Sequence, residues 1–166
     1  MKTTMAGLIV LTGLAGASGC QAATLAGELV GTWTVTEAAT HEANGNTTYP
    51  YGKSPKGILL FTADGHFVQM LTTGDVPKFA SNNRTTGTPA EYQAVVQKTN
   101  AFFGTYSVDE AKKEITYKIE SSTFPNWEGT SQPRIIVELN AKQFVYKNPS
   151  ASAGGVAENK WRREGK

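Results

Sequence analysis

The sequence predicts an all-β fold, an antiparallel barrel of about eight strands with one α-helix over about residues 89–103. Three observations carry this reading. The composition, with 17 glycines, 7 phenylalanines and 6 tyrosines in 166 residues, favours strands joined by tight turns. Short apolar runs recur along the chain, separated by turn residues in the manner of hairpins. A single capped helical pattern interrupts them after the third strand. At 39% apolar residues the chain has enough to bury the core of one domain.

Taken in order, Val30-Gly31-Thr32-Trp33-Thr34-Val35-Thr36 alternates with period two and sets Trp33 and Val35 on one face. Residues 41–48 are polar around Asn44-Gly45-Asn46, a turn signal. Tyr49-Pro50-Tyr51-Gly52 follows, where the proline cannot donate to a ladder and so predicts an edge or an ordered loop. Residues 57–61 and 67–71 flank Thr62-Ala63-Asp64-Gly65-His66, whose Asp-Gly pair predicts a hairpin. Residues 72–87 carry no period and predict a long loop, of the kind that forms lids or binding loops.

The helical pattern begins at Thr88, a capping residue, with Pro89 at the first position and Glu91 completing a capping box. Tyr92, Val95, Val96, Thr99, Phe102 and Phe103 then recur at three- and four-residue spacing and predict a stripe packed on the sheet, with Gly104 as terminator. Two further hairpins are predicted, residues 104–108 with 114–121 and residues 135–139 with 143–147. A Ser/Ala/Gly loop at residues 149–156 leads to a last strand around Trp161. Closing such a set into a barrel removes exposed edges, and eight strands leave room for one small ligand.

The leader is legible separately. Met1-Lys2, an apolar run over residues 5–14 and small residues to Gly19 read as an export signal of residues 1–19, too short to span a bilayer permanently. Ala17-Ser18-Gly19-Cys20 resembles a bacterial lipobox, which implies acylation of Cys20 and, with Gln21 next, an outer-membrane lipoprotein facing the periplasm. Cleavage after Ala22 or Ala23, giving a soluble periplasmic or secreted protein, is the alternative. Cys20 is the only cysteine, so no disulfide can form within the chain. Residues 20–28 then read as a tether and residues 29–166 as the barrel domain. Removing Lys2 from the 16 basic residues leaves 15 against 14 acidic ones, a balance that argues against nucleic acid as a partner.

Several motifs together resemble the lipocalin-like domain family of small bacterial and fungal proteins: Leu29-Val30-Gly31-Thr32-Trp33, Tyr49-Pro50-Tyr51-Gly52 with Pro55-Lys56-Gly57, Thr62-Ala63-Asp64-Gly65-His66, Gly87-Thr88-Pro89-Ala90-Glu91-Tyr92 and Phe103-Gly104-Thr105-Tyr106. The resemblance covers about residues 29–163. It implies a lipocalin-type barrel with a hydrophobic cavity but no single activity, since fold does not fix function. It also implies a Gly-x-Trp on the first strand stacked under an arginine of the last. Trp33 and Arg162 or Arg163 occupy those places, and Arg162 is taken as the partner, in a structural role.

Candidate site residues follow from chemistry. The two histidines, His41 and His66, lie in a polar loop and a hairpin, so neither a metal site nor another cofactor is expected, and no nucleophile elbow or phosphate-binding loop occurs. His66 reads as a turn histidine, or as a general base at a cavity mouth. Tyr49, Tyr51 and Tyr106 have the polar tip and apolar body that suit a pocket rim. Phe124-Pro125-Asn126-Trp127-Glu128-Gly129-Thr130-Ser131-Gln132-Pro133-Arg134 concentrates aromatics, amides and an arginine between two strands. Phe124 and Trp127 could cap a cavity, with Asn126 and Gln132 supplying hydrogen bonds. Arg134 either pairs with Glu128 or Glu120, or anchors a carboxylate or carbonyl. The expected function is binding of a small hydrophobic molecule in the barrel, for which a cavity below about 100 Å³ would be too small. The alternatives are an enzyme on a polyketide-like or isoprenoid substrate using Tyr49, His66 or Arg134, and a structural or partner-binding module of the cell envelope. The last predicts a side-chain-filled barrel and an exposed apolar patch.

Overall fold

Residues with alternate inward and outward side chains close on themselves here, so that the first strand pairs with the last. The computed structural model describes residues 24–152 and 154–165; the predicted leader and Cys20 lie outside the described residues. The strands are β1 (Gly31–His41), β2 (Thr47–Thr48), β3 (Lys56–Phe61), β4 (His66–Thr72), β5 (Thr99–Asp109), β6 (Glu114–Ser122), β7 (Ser131–Leu139), β8 (Gln143–Asn148) and β9 (Val156–Arg163). All pairings are antiparallel between neighbours, and β9 returns to β1 from Trp33↔Arg163 through His41↔Val156. The two-residue β2 pairs only with the end of β1, through Thr40↔Thr48 and His41↔Thr47. Eight full strands therefore form the closed barrel.

The interior is built from the inward rows of these strands. Trp33, Leu59, Ile115, Tyr117, Phe144 and Trp161 are each 0% exposed. Phe67 stacks on Tyr117 with centroids 4.1 Å apart, and Phe144 lies 5.6 Å from Trp33 and 6.1 Å from Phe61. These rings fill one end of the barrel and its middle. That end is closed by α1 (Leu25–Leu29), capped by the Thr24 side chain and tied down where the Glu110 carboxylate accepts from Leu25 N. The predicted tether is thus helical from Leu25 onward, and Leu29 is a core residue.

The arginine that closes the barrel is Arg163, not Arg162. Trp161 points inward, so the two-residue period of a strand sends Arg162 outward to pair with Glu164 at 3.1 Å and brings Arg163 back in. The Arg163 guanidinium lies 4.0 Å from the Trp33 ring centroid. It donates to Val30 O at 2.8 Å, to Ala141 O at 3.1 Å and to Glu28 O. Trp33 Nε1 donates to Leu29 O at 2.9 Å. Gly31, at φ +135°, must be glycine, because a Cβ there would sit 2.6 Å from Arg163 Nη1.

The second helix, α2, covers Pro89–Lys98 with the predicted capping box in place. It stops five residues short of the expected end, because Thr99 to Phe103 pair with β4 from Thr72↔Thr99 to Val68↔Phe103. The apolar spacing of Thr99, Phe102 and Phe103 fits either period, and ladder pairing decides it. Gly104 is accordingly not a helix terminator but a mid-strand glycine beside a bulge, where a Cβ would meet Lys118 O at 2.0 Å. No residue of α2 is buried, so the helix does not pack its stripe on the sheet. Residues 73–87 dock on the helix instead, with Phe79 edge-on to Tyr92 at 5.6 Å, Tyr92 Oη accepting from Gly87 N at 2.8 Å and Lys98 paired with Asp75 at 2.8 Å.

A polar hollow at the open end of the barrel

At the end opposite α1 the aromatic filling stops, and a hollow of about 80 Å³ remains. Its wall is made by inward positions of several strands: Ala38 and Thr40 of β1, Gln69 and Leu71 of β4, Asn100 and Phe102 of β5. Arg134 of β7, Tyr146 and Asn148 of β8 and Ala157 and Asn159 of β9 also contribute, with Tyr51 and Trp127 at the rim. A second pocket of about 210 Å³ adjoins it, sharing Pro50, Tyr51, Asn100 and Ser152 and adding Val96 of α2 and Phe124. The inner hollow alone is smaller than the roughly 100 Å³ that a wholly enclosed ligand requires. The barrel is mostly filled by side chains, and its wall mixes polar with apolar groups. The space open to a ligand is thus this small hollow of mixed polar and apolar lining together with the outer pocket that adjoins it.

Polar side chains at inward positions shape this end. The Tyr146 hydroxyl donates to Gln69 Oε1 at 2.9 Å and accepts from Asn159 Nδ2 at 3.0 Å, and all three residues are buried. These two bonds hold the buried Tyr146 hydroxyl between amides from β4 and β9. Burial raises the Tyr146 pKa above the ordinary tyrosine range, against the pull of nearby Arg134, and burial raises that of Tyr51 as well. Deeper in, burial pushes Tyr117 well above that range, and its hydroxyl has no hydrogen-bond partner.

Arg134 is 1% exposed. Its Nη2 donates to Gln132 Oε1 at 2.9 Å and its Nη1 to Pro133 O at 2.8 Å. Gln132 Nε2 donates in turn to Thr130 Oγ1 at 3.2 Å. The guanidinium carbon lies 4.9 Å from the Tyr117 ring centroid and 5.9 Å from that of Tyr146. Neither acidic residue expected as a partner is used. Glu128 accepts from Ser121 Oγ at 2.9 Å and from Ser122 N at 3.3 Å, and Glu120 points outward, exposed.

Of the predicted site residues, Tyr51, Trp127 and Arg134 line the inner hollow, and Phe124 lines the outer pocket. Phe124 and Trp127 lie edge to face at 5.8 Å, and Trp127 meets Phe102 at 5.2 Å. Gln132 touches neither space but holds Arg134. The other four are elsewhere. His66 shares a strand with inward Phe67, so it projects outward, exposed, with Nδ1 3.3 Å from Asp64. Tyr106 packs on Phe61 at 4.8 Å and donates its hydroxyl to Thr62 O at 2.9 Å, away from the hollow. Tyr49 lies under Lys53 at 3.2 Å, and Asn126 is exposed in the 3-10 turn Pro125–Trp127. An acid–base set of Tyr49, His66 and Arg134 around one cavity is therefore not formed. Among the described residues no group of three or more His, Cys, Asp or Glu gathers as a metal site.

Gln69, Asn100, Tyr146, Asn148 and Asn159 were not singled out from sequence. A signal was present: Gln69 falls between Phe67 and Leu71, and Asn159 two residues before Trp161, so strand parity aims both amides inward among apolar neighbours.

A family profile described as a lipocalin-like domain matches residues 30–162. The chain belongs to the lipocalin-like domain family. The matched range runs from the residue before β1 to the penultimate residue of β9, the whole closed barrel of this lipocalin-like domain. A solved structure of a lipocalin-like protein from Bacteroides uniformis ATCC 8492 is similar at 14% identity, over 83% of this chain and 100% of that one, with a TM-score of 0.47. Among curated proteins none matches.

Proposed function

We propose that this lipocalin-like domain binds a small, largely apolar molecule at the open end of the barrel, one end seated in the inner hollow and the remainder in the outer pocket. The observation that supports this most is the junction of the two spaces at Tyr51 and Asn100, which gives a continuous concave surface with aromatic walls and a few polar groups, the usual make-up of a ligand site. Titration of the protein with fatty acids, isoprenoids and aromatic metabolites, followed by Trp127 emission, tests the reading. Trp33 and Trp161 are core residues, so a signal that survives in Trp127→Phe would place the ligand elsewhere and reject it.

Export and anchoring through an acylated Cys20 complete the proposal. Replacement of Cys20 by serine is expected to release the protein from the membrane fraction, and unchanged fractionation would reject the anchor.

A second reading is favoured by the outer face of β3, β4 and β5. Ile58 stands opposite Met70 and Val68 opposite Phe103 in the ladders, and these four side chains are 43–47% exposed. Such a patch on a side-chain-filled barrel suits a partner-binding module of the envelope. Replacing Val68 and Met70 with threonine should then abolish co-purification of a partner while leaving small-molecule binding intact; loss of neither would dismiss this reading.

A further inference from the structure

We propose that the ligand is an organic carboxylate whose acid group is taken up by Arg134 and whose apolar body extends through the junction into the outer pocket. This rests on the binding reading above and names the ligand's chemical class. Arg134 is the one charged side chain among the residues lining the inner hollow. It is fully buried and forms no ion pair among the described residues, and its Nε has no hydrogen-bond partner. A guanidinium out of water without a counter-ion is unfavourable by several kcal/mol unless charge and donors are satisfied. Here two of its five N–H donors are satisfied by neutral groups, and Nε has no partner on a side chain that lines the hollow.

The geometry selects the anion. Gln132 Oε1 and Pro133 O take one donor from each terminal nitrogen, fixing the plane of the guanidinium and leaving it a preorganised fork, which suits a planar carboxylate. A single cation facing a hollow of about 80 Å³ balances one negative charge, not the dianion of a phosphate. The inner wall also carries Leu71, Phe102, Trp127 and several alanines beside its amides, hydroxyls and two tyrosines, which leaves apolar surface for a chain beyond the acid. Asn100 Oδ1, buried and without a partner at the junction of the two spaces, is free to accept from a hydroxyl or amide carried one or two atoms along that chain.

The test compares octanoate, octan-1-ol and inorganic phosphate on the full-length protein, by Trp127 fluorescence and calorimetry at neutral pH. Octanoate is expected to bind at least about tenfold more tightly than octanol, the equivalent of one charge-assisted hydrogen bond, and phosphate not to compete. In Arg134→Gln, with thermal melting as the folding control, the preference for octanoate should vanish while octanol binding persists. Equal affinity of wild-type protein for octanoate and octanol overturns the carboxylate assignment and leaves small-molecule binding standing. Competition by phosphate at the same concentrations as octanoate also overturns it. Binding of none of the three, nor of the wider apolar panel, overturns both this inference and the reading on which it rests.

Discussion

Removing the Arg163 side chain is the most informative perturbation of the fold. Its guanidinium makes three hydrogen bonds, to the carbonyls of Glu28, Val30 and Ala141, and lies 4.0 Å from the Trp33 ring centroid. It thereby ties α1, the start of β1 and the turn before β8 to the last strand. A hydrogen bond to a charged group contributes about 1.5–3 kcal/mol when buried, and a neutral-strength one about 1 kcal/mol. Arg163 is only partly buried, so the three are taken near the lower figure, and the stacking adds about 1 kcal/mol. Relaxation and water entry into the vacated space return part of this, leaving a loss of about 2–4 kcal/mol for Arg163→Ala. For a domain of this size that lowers Tm by roughly 4–16 °C. Arg162→Ala is the control, since among the described residues its side chain pairs only with the exposed Glu164, and it should change stability by less than about 0.5 kcal/mol. Urea denaturation of both variants, followed by far-UV circular dichroism, decides the matter. Equal losses in the two, or a loss under about 0.5 kcal/mol in Arg163→Ala, would refute the assignment of barrel closure to Arg163.

Three further outcomes are expected. Gly31→Ala should destabilise by at least about 1–3 kcal/mol in the same assay, because the backbone is at φ +135° and the new methyl meets Arg163, a strained conformation for any residue with a Cβ. Tyr117→Phe should be neutral or stabilising at pH 7, since it deletes a buried hydroxyl without a partner and keeps the stack on Phe67; a loss above about 1 kcal/mol would show that the hydroxyl is bonded. Burial raises the pKa values of Tyr117 and Tyr146 above the ordinary tyrosine value of about 10, so the unfolded chain loses these protons first. The stability they support is complete below about pH 10 and declines as pH rises past it, by about 1.4 kcal/mol per unit for each tyrosine kept neutral in the native state. Urea midpoints at pH 9, 10 and 11 check this, and Tyr117→Phe should flatten the decline.

The hairpins were legible because Asp64-Gly65 and Asn140-Ala141-Lys142 separate short apolar runs. The end of α2 was not, because Thr99 to Phe103 satisfies a helical stripe and a strand equally, and only pairing with β4 chooses. The arginine over Trp33 was misplaced by one residue, although Trp161 fixes the parity of β9 once it is recognised as inward. Arg134 and Trp127 stood out through the density of unusual residues around them. Gln69, Asn100 and Asn159 did not, since an amide inside a strand carries no mark until its neighbours' direction is known. The five-residue α1 fell below the length at which periodicity can be read, and is held by the Thr24 cap and by Glu110 from a distant turn.

The claim that a small molecule occupies the open end of the barrel is tested most directly by filling that end. Ala157 lines the inner hollow, and Ala157→Leu adds three carbons there, on the order of the space available. Affinity for the ligands that wild-type protein binds in the Trp127 titration should fall at least about tenfold, with Tm maintained within a few degrees. Undiminished affinity in Ala157→Leu at unchanged Tm would contradict the account.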